Sequence, residues 1–362
     1  MPQIDEYLTA MMELEASDLH LCVGLPPKIR IHGDLEELDE PPIDAATMEQ
    51  ILKDICPADK WDFYVDNRDL DFAYEIRDVA RFRSNYFFNH YGMGGIFRII
   101  PTKILTLEDL NMPPALQSVC EYDRGLVLVT GPTGSGKSTT LAAMIDYINT
   151  NFHKHVITIE DPIEFVHGNK ESIIVQREVG SDTESFSAAL RGAMRADPDI
   201  VLVGEMRDLE TISLALTCAA MGLLVFGTLH TNNAPKTVDR IIDAFPADQQ
   251  PQMRAMLAQS LQAVISQLLC RTADGRGRVA VHEILLSHEA LPSTIREGMI
   301  SNIRSIIEGS SAMGMKSMDN DLLRLLEEET ITPVEAYMKA SNKQDFEKFI
   351  DKEAMEQLVS AG

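Results

Sequence analysis

Hydrophobic and polar positions divide the chain into two patterns that meet close to residue 100. Before that point, short segments alternate apolar with polar residues or are rich in β-branched and aromatic side chains, as half-buried strands are. Residues 44–55 instead have helical spacing behind an aspartate that suits a helix start. This mixture predicts a compact α+β domain over residues 1–100, opened by a short helix. Its predicted strands are residues 19–23 (LHLCV), 28–33 (KIRIHG) and 82–88 (FRSNYFF).

Beyond residue 124 the apolar runs become continuous, which is typical of strands buried on both faces of a parallel sheet. Helical stretches separate these runs, so the alternation predicts an α/β domain in which helices cover a parallel sheet. We place this domain at residues 115–362, after a proline-rich linker at 101–114. After Pro246 the pattern turns almost purely helical, with one strand expected at 278–286 and a helical C-terminal region from about residue 290. The buried strands are expected at 125–130, 155–160, 199–204 and 223–230, and the helices between them at 138–150, 185–195 and 208–221.

The composition is acidic, with 56 Asp and Glu against 32 Lys and Arg and a formal net charge of −24. Such a surface repels phosphate backbones, and the sequence has no long cluster of basic residues, so we expect no nucleic-acid partner. The five cysteines form no CxxC pair, which gives no support for zinc and suits a reducing cytoplasm. The acidic N-terminus does not resemble a signal peptide, and the apolar runs are too short for a membrane helix. We therefore expect a cytoplasmic protein.

The strongest chemical signal is GPTGSGKS at residues 131–138, which matches GxxxxGK[ST] between a predicted strand and a predicted helix. Glycines allow consecutive N–H groups to converge on an anion, and the start of the helix adds its positive dipole end. Lys137 is expected at the β- and γ-phosphates of ATP, and the Ser138 hydroxyl at Mg²⁺. The predicted nucleotide-binding residues of this segment are Gly131, Pro132, Thr133, Gly134, Ser135, Gly136, Lys137, Ser138 and Thr139.

Two glutamates follow predicted buried strands, Glu164 after the segment ITIEDPI and Glu205 after DIVLVG. The carboxyl ends of strands line the ligand crevice of open α/β sheets, so both carboxylates are expected to face the phosphates. One should hold Mg²⁺ through its waters, a role we give to Glu205, and the other should orient or deprotonate the attacking water. The sequence leaves open which glutamate is the general base. Gly204 stands where many ATPases have Asp, so a second acid must come from elsewhere, and Glu164 is the natural supplier.

Cationic and imidazole side chains complete the predicted site. His230 follows another predicted strand and is expected to sense the γ-phosphate or to couple neighbouring protomers. Phosphoryl transfer spreads charge over the γ-phosphate oxygens, which an arginine from a mobile element usually neutralises. The hairpin-like stretch 81–98 beside the predicted linker supplies Arg81 as a nucleotide-binding residue and Arg83 and Arg98 as catalytic arginines. Weaker candidates are Arg195, Arg207 and Arg240.

With these residues in place, the chain resembles the secretion-type, GspE-like ATPases, and within them the PilT family of type IV pilus retraction ATPases. The similarity extends over nearly the whole chain and includes ASDLHL, RFRSNYF, ITIEDPIEF (the Asp box), DIVLVGEMRD (Walker B) and GTLHTNNAPKTVDRIID (the His box). It implies a PAS-like N-terminal domain, a RecA-like P-loop ATPase core and a homohexameric ring that binds ATP between the two domains. By matching position, Glu164 becomes the Asp-box catalytic acid, Glu205 the Walker B acid and His230 the His-box residue. Arg83 and Arg98 become the N-domain arginines that reach the nucleotide.

The resemblance also implies that ATP hydrolysis drives pilus depolymerisation through an inner-membrane platform protein, which places the motor at the inner membrane beside other pilus ATPases. The tetracysteine zinc insert usual in extension motors is not present, which favours retraction. Retraction motors, however, typically have AIRNLIRE where residues 290–297 read ALPSTIRE, so Pro292 and Ser293 replace an arginine and an asparagine. An accessory or paralogous motor therefore stays open. A nucleotide-dependent scaffold ring also stays open, as does a nucleic-acid translocase, which the net charge argues against.

Overall fold

The computed structural model describes residues 2–31, 34–77, 79–100 and 103–350 of the 362-residue chain. The described residues form two compact units, one made of the chain up to Lys103 together with Pro162–Val166, the other of Ile104–Asp161 and the chain from His167 onward. Several predicted features lie outside the described residues: the start of the linker (Pro101 and Thr102), the end of one strand (His32 and Gly33) and the end of the helical region (351–362). Within the described ranges, no helix combines the length and apolar character needed to cross a bilayer.

The first unit contains a six-stranded sheet with the strand order β3-β2-β1-β6-β5-β4, in which all neighbours are antiparallel. Its strands are β1 (Asp18–Cys22), β2 (Lys28–Ile31), β3 (Asp34–Glu37), β4 (Asp69–Ile76), β5 (Ala80–Asn89) and β6 (Gly92–Ile100). Its helices are α1 (Gln3–Glu13), α2 (Ala45–Ile55) and α3 (Trp61–Asn67). The predicted α+β character of this part of the chain is thus observed.

Local sequence explains these elements. The Asp44 side chain accepts a hydrogen bond from the backbone N–H of Thr47, which is the helix start predicted for α2. Along β5 the side chains of Phe82, Ser84 and Tyr86 are buried, while the residues between them are half-exposed, as the period of a strand requires. The hairpin-like stretch 81–98 forms β5 and β6, which pair in register over their full length. Strands β3 and β4 were not predicted.

The second unit contains a seven-stranded sheet packed by helices. Its strands are β7 (Gly125–Thr130), β8 (His155–Glu160), β9 (Ile173–Glu178), β10 (Ile200–Val203), β11 (Leu224–Leu229), β12 (Leu261–Arg271) and β13 (Arg278–Leu286). Its helices are α4 (Pro114–Cys120), α5 (Lys137–Asn151), α6 (Phe186–Ala193), α7 (Leu209–Ala220), α8 (Ala234–Asp243), α9 (Gln250–Ser260), α10 (Leu291–Arg296), α11 (Ile303–Gly309), α12 (Met318–Glu327), α13 (Pro333–Lys339) and α14 (Gln344–Glu347).

The order of this sheet is β13-β12-β7-β11-β10-β8-β9. All neighbouring strands from β12 to β9 are parallel, and only β13 joins the sheet antiparallel. Strands β7, β10 and β11 are buried along their whole length, which confirms the prediction drawn from their continuous apolar runs. Because these three strands are parallel and lie side by side, the segments that follow them emerge at one edge of the sheet. The position of the site follows from this topology.

One segment of the second unit differs from the prediction. Residues 261–271 (LQAVISQLLCR) form β12, which pairs with β7 on one side and β13 on the other, so the almost purely helical pattern expected after Pro246 is wrong here. A short apolar run has no clear period and cannot be assigned to helix or strand by pattern alone. Helix α9 ends at Ser260, immediately before the strand, with neither Gly nor Pro between them to mark the change. Pairing with β7 and β13 decides the conformation.

The far ends of β12 and β13 carry a small second core with the C-terminal helices α12 to α14, separate from the main core of the sheet. Its buried members include Cys270, Val281, Met318, Leu322, Leu325 and Phe346. Beside this core, the buried Asp321 carboxylate accepts hydrogen bonds from Lys316 Nζ at 2.6 Å and from the backbone N–H of His282 at 2.8 Å. Arg324 Nη2 lies 2.9 Å from the same carboxylate. The cluster ties the C-terminal helices to β13 by charge as well as by packing.

Candidate functional site

The predicted phosphate loop connects β7 to α5 and has the backbone conformation that glycine permits. Gly131, Gly134 and Gly136 have φ angles of 147°, 77° and 88°, in the region that L-amino acids rarely adopt. Added side chains would also collide, because a Cβ on Gly131 would lie 2.3 Å from the carbonyl oxygen of Gln267. A Cβ on Gly136 would lie 2.8 Å from Gln267 Nε2. Gly131 and Gly136 are therefore required by the space behind the loop as well as by their φ angles, whereas Gly134 is required by its φ angle alone.

The lysine and hydroxyl residues of the motif lie at the start of α5. Lys137 is its first residue, and its ammonium Nζ donates hydrogen bonds to the carbonyl oxygens of Gly131 at 2.8 Å and Pro132 at 3.1 Å. Ser138 and Thr139 follow in the first turn, half-buried. The lysine therefore holds the first part of the loop against the helix start, where N–H groups and the positive dipole end favour an anion.

Glu205 and His230 meet at the edge of the sheet where the loop emerges. Glu205 lies two residues beyond β10, and His230 directly follows β11. The two strands are parallel neighbours, and His230 Nε2 lies 3.0 Å from Glu205 Oε1. The backbone N–H of Gly131 also donates to the carbonyl oxygen of Leu229 at 3.2 Å, so the loop begins beside His230. The structure thus brings together three features that lie far apart in sequence.

The Glu205 carboxylate has a second partner in Arg207, whose Nη2 lies 2.7 Å from Oε2. The hydrogen bond from Arg207, the positive charge of that guanidinium and the contact with His230 lower the pKa of Glu205 below its ordinary value of 4.5, against the effect of partial burial. Glu205 is therefore an ionised carboxylate at neutral pH. From the sequence, Arg207 is only a weaker candidate for the site. The next residue, Asp208, is the N-cap of α7, and its side chain accepts a hydrogen bond from the backbone N–H of Thr211.

Gly204 has a structural explanation at the place where many ATPases carry an aspartate. Its backbone N–H donates to the carbonyl oxygen of Ile159 at 2.8 Å, so β10 and β8 are close there. A Cβ on Gly204 would lie 3.0 Å from that oxygen and 3.3 Å from Glu160 Cα. An aspartate at this position would need the neighbouring strand to move. The backbone packing therefore favours glycine, and Glu205 is the acid at this strand end.

Glu164 belongs to a different part of the structure from Glu205. It is exposed and lies in Pro162–Val166, the segment that forms part of the first compact unit although it follows β8 of the second. The two predicted acids are therefore carried by different units. Its role in hydrolysis stays a prediction.

The predicted arginines lie on the sheet of the first unit. Arg83 on β5 and Arg98 on β6 are directly opposite each other in the register of the two strands, and Arg81 lies two residues earlier on β5. Arg98 Nε donates a hydrogen bond to Asp18 Oδ1 at 2.7 Å, and Arg83 Nε lies 3.8 Å from Asp71 Oδ1. Burial alone would raise the pKa of Asp18, but hydrogen bonds from Ser17 and Arg98 lower it below its ordinary value. The remaining weaker candidates, Arg195 and Arg240, are exposed in the second unit.

Gln267, which is not part of any of the sequence motifs, lies on β12 directly behind the phosphate loop. It is 2% exposed and hydrogen-bonds both to the loop and to α5. A signal was present, because Ser266 and Gln267 are two adjacent polar residues in the otherwise apolar run 263–270. Polar side chains buried in a strand need partners, which points to a polar neighbour. Within a segment expected to be mainly helical, the same two residues would instead be read as part of an exposed helix face.

The segment 290–297, which departs from the retraction-motor pattern, contains the whole of α10. Pro292 is the second residue of that helix, where its missing N–H would have no intrahelical partner in any case. The Ser293 hydroxyl donates to the carbonyl oxygen of Ala290 at 3.0 Å. The helix therefore forms with the residues present, as the sequence predicted.

Comparison with known proteins agrees with the resemblance drawn from the motifs. A family model described as type II/IV secretion system protein matches residues 1–330. The chain is 48% identical over 343 residues to the type IV pilus retraction ATPase PilT of Pseudomonas aeruginosa, which covers 95% of this chain and 99% of that protein. It is 38% identical to the type IV pilus ATPase PilU of the same organism, over 95% of this chain and 90% of that protein.

A solved structure, the crystal structure of the pilus retraction motor PilT with bound ADP, has a TM-score of 0.88 and 42% identity to this chain. The match covers 95% of this chain and 98% of the other. The level of identity, the coverage and the shared architecture all indicate the same family. The chain therefore belongs to the type II/IV secretion system protein family, in the branch of the pilus retraction ATPases.

Proposed function

We propose that this chain hydrolyses ATP at the loop Gly131–Ser138 and uses the reaction to drive retraction of a type IV pilus. The observation that carries the proposal is the common edge of the second unit's sheet, where the loop after β7 lies beside the His230–Glu205 contact. Phosphoryl transfer needs an anion cradle, a fixed carboxylate and neutralising cations at one place. This edge supplies the first two from adjacent parallel strands.

The residues of the second unit have distinct roles in the proposal. The N–H groups of the loop and of the first turn of α5 bind the phosphates, and Lys137 contacts the β- and γ-phosphate oxygens. Magnesium bound with ATP would neutralise charge on the same oxygens. The half-buried Ser138 hydroxyl suits a ligand oxygen for that ion, and the ionised Glu205 carboxylate suits a holder of its water ligands. His230, in contact with Glu205, transmits the state of the γ-phosphate to that carboxylate.

The proposal assigns further roles to residues of the first unit. Glu164 polarises the attacking water, and Arg83 and Arg98 neutralise charge that develops on the γ-phosphate. Arg81 contributes to nucleotide binding. The pairing of Arg98 with Asp18 supports this assignment, because an arginine held by one buried carboxylate is oriented before it meets a second anion.

The mechanical part of the proposal rests on the family. A homohexameric ring would act on an inner-membrane platform protein, and the loss of the γ-phosphate would release the conformation that bound ATP stabilises. The ring would lie in the cytoplasm at the base of the pilus. The names of the relatives support pilus retraction, and the acidic net charge of −24 argues against a nucleic acid as the object moved.

ATP turnover by purified variants tests the catalytic part. Lys137→Ala should reduce ATP hydrolysis to background and abolish ADP binding, because no other side chain of the loop carries a positive charge. Lys339→Ala removes an exposed lysine on α13 and serves as the matched control. If Lys137→Ala hydrolyses ATP at the wild-type rate, the loop is not the site.

A second candidate function is an accessory motor that depends on another pilus ATPase. It is favoured by Pro292 and Ser293 on α10, which stand where retraction motors typically have Arg and Asn, and the similarity to PilU is compatible with it. A deletion strain should be complemented with the wild-type gene and with Pro292→Arg/Ser293→Asn. Full retraction and surface motility with the wild-type gene alone would support a main motor. A requirement for the double substitution, or for a second ATPase, would support the accessory function.

A further inference from the structure

Gln267 fills the space that two glycines leave behind the phosphate loop. Its backbone carbonyl oxygen lies where a side chain on Gly131 would be, and its amide Nε2 lies where one on Gly136 would be. The residue is 2% exposed, so its amide group has lost its contact with water. A buried amide is costly unless protein groups satisfy it. Its hydrogen-bond partners therefore indicate what it does.

The Gln267 side chain joins the loop to the first turns of α5. Nε2 donates a hydrogen bond to the backbone carbonyl oxygen of Ser135 at 2.7 Å, and Oε1 accepts one from the Thr140 hydroxyl at 2.7 Å. Ser135 is 3% exposed and Thr140 is fully buried, so both hydrogen bonds are shielded from solvent. The Ser135 carbonyl can only accept, so the amide's donor faces Ser135 and its acceptor oxygen faces the Thr140 hydroxyl.

Holding the Ser135 carbonyl also directs the next backbone donor. In a planar trans peptide the C=O and the following N–H point in opposite directions. Because the Ser135 oxygen points towards Gln267 on β12, the N–H of Gly136 must point in the opposite direction, away from β12. Gly136 is the residue immediately before Lys137 and α5, where anion-binding N–H groups are expected. Gln267 thus acts on the orientation of a phosphate-binding group without touching the phosphate.

We propose that Gln267 is a positioning residue that orders the phosphate loop before the nucleotide binds. The inference rests on the proposed role of Gly131–Ser138 and adds to it a residue from β12, well over a hundred residues away in the chain. Ordering a loop in advance removes part of the entropy cost of binding, so the effect falls on nucleotide affinity. The α- and β-phosphates are held alike in ATP and ADP, so both nucleotides should be affected and the chemical step much less.

Substitutions of Gln267 separate this role from simple packing. Gln267→Met keeps the volume and removes both hydrogen bonds. Gln267→Glu keeps the shape but places an ionised oxygen against the Ser135 carbonyl, and it regains a donor when the carboxyl is protonated. Thr140→Val removes only the hydrogen bond that holds the amide oxygen of Gln267 to α5. Ser266→Ala is the matched control, because it removes a buried 2.8 Å hydrogen bond from the neighbouring residue of β12 to Thr130 at the end of β7.

The experiment measures, for the purified full-length variants, the Kd for Mg-ADP by calorimetry, KM and kcat for ATP, and the thermal midpoint without nucleotide. Gln267→Met should weaken ADP binding and raise KM about tenfold, with kcat changed by less than about threefold. Thr140→Val should weaken ADP binding about threefold. Ser266→Ala should lower the thermal midpoint while leaving Kd and KM unchanged.

Gln267→Glu supplies a readout that a packing role would not give. Its affinity for ADP, relative to wild type, should improve as the pH is lowered from about 8 to about 6, because protonation restores the donor to Ser135 in a buried site that raises the pKa of a carboxyl. The inference is overturned if Gln267→Met and Thr140→Val lower the thermal midpoint but bind ADP within about twofold of wild type. It is equally overturned if the affinity of Gln267→Glu relative to wild type does not change with pH.

Lys137→Ala, measured alongside, distinguishes this inference from the proposed function. If Lys137→Ala loses ADP binding while the Gln267 and Thr140 variants keep it, the loop is the site but Gln267 does not position it. If Lys137→Ala keeps wild-type ADP affinity, the loop assignment fails, and the positioning role fails with it.

Discussion

His230 Nε2 lies 3.0 Å from Glu205 Oε1, which joins the ends of two neighbouring parallel strands through their side chains. The glutamate is 20% exposed and also bonded to Arg207, whereas the histidine ring is about half exposed at 48%. The carboxylate is thus held in place, and the imidazole has an open side that can meet another group. A new contact that moves the His230 ring would therefore change the position of the Glu205 carboxylate.

Replacement of His230 by alanine should lower kcat for ATP about a hundredfold, because Glu205 loses an orienting partner and, in the proposed mechanism, the γ-phosphate loses its sensor. ADP affinity should stay within about twofold of wild type, since the phosphate-binding loop is unaltered. Steady-state hydrolysis and ADP titration measure the two effects. His153→Ala, which removes an exposed histidine at the surface of the second unit, is the control. An unchanged kcat in His230→Ala would show that the contact with Glu205 has no part in turnover.

Alanine at Gly131 should destabilise the nucleotide-free protein by about 3 kcal/mol or more, because a positive φ and a collision with the Gln267 carbonyl act together. Alanine at Gly134 should cost only about 1 kcal/mol, since its φ of 77° is strained but no atom lies within 4 Å of the added Cβ. Urea unfolding without nucleotide measures both. Equal losses for the two variants would contradict the tight fit of Gly131 against β12.

His282 should make the stability of the protein fall in mild acid. Burial, and secondarily the charge of Lys316, lower its pKa from 6.5 to about 4, and its Nε2 has no hydrogen-bond partner among the described residues. Below pH 6.5 the unfolded chain takes up a proton that the folded protein does not, so stability declines until the pH reaches the folded pKa of about 4. Between these two pH values the free energy of unfolding should fall by roughly 3 kcal/mol.

His282→Gln removes this titration, so the free energy of unfolding should fall less steeply with acid than in the wild type. The charged groups around the ring, Lys316, Asp321 and Arg324, remain in the variant and set its residual pH dependence. Urea unfolding across the same pH range gives the slope, and His153→Gln should leave it unchanged. Identical slopes for His282→Gln and the wild type would mean that the ring takes up its proton as readily in the folded protein as in the unfolded chain.

Loss of Arg98 or Arg83 should lower kcat for ATP more than it lowers nucleotide affinity. Arg98→Ala and Arg83→Ala are each expected to lower kcat at least tenfold, because an arginine acts on charge that grows on the γ-phosphate in the transition state. Arg30→Ala is a suitable control. Arg30 lies on β2, on the other side of β1 from Arg98, and its Nε is 3.9 Å from Asp18 Oδ2. Wild-type kcat in both variants would remove these arginines from the proposed mechanism.

The candidate site was only partly predictable from the sequence. The phosphate loop was visible because its chemistry lies in consecutive residues, and the parallel sheet because each buried strand is a continuous apolar run. The partners of Glu205 were a different matter. The sequence indicates His230 by its place after a strand and Arg207 only weakly, since no local pattern states that the two reach one carboxylate.

The order of elements around the loop, the glycines that the loop requires and the family of the chain follow from the sequence, because each depends on neighbouring residues or on long shared motifs. The folded chain was needed to show that residues 261–271 are a strand, that Gln267 on it holds the Ser135 carbonyl, and that Pro162–Val166 with Glu164 belongs to the first unit. These facts depend on pairing and burial between distant segments. A short apolar run takes its conformation from the neighbours against which it packs, and the sequence does not state which neighbours those are.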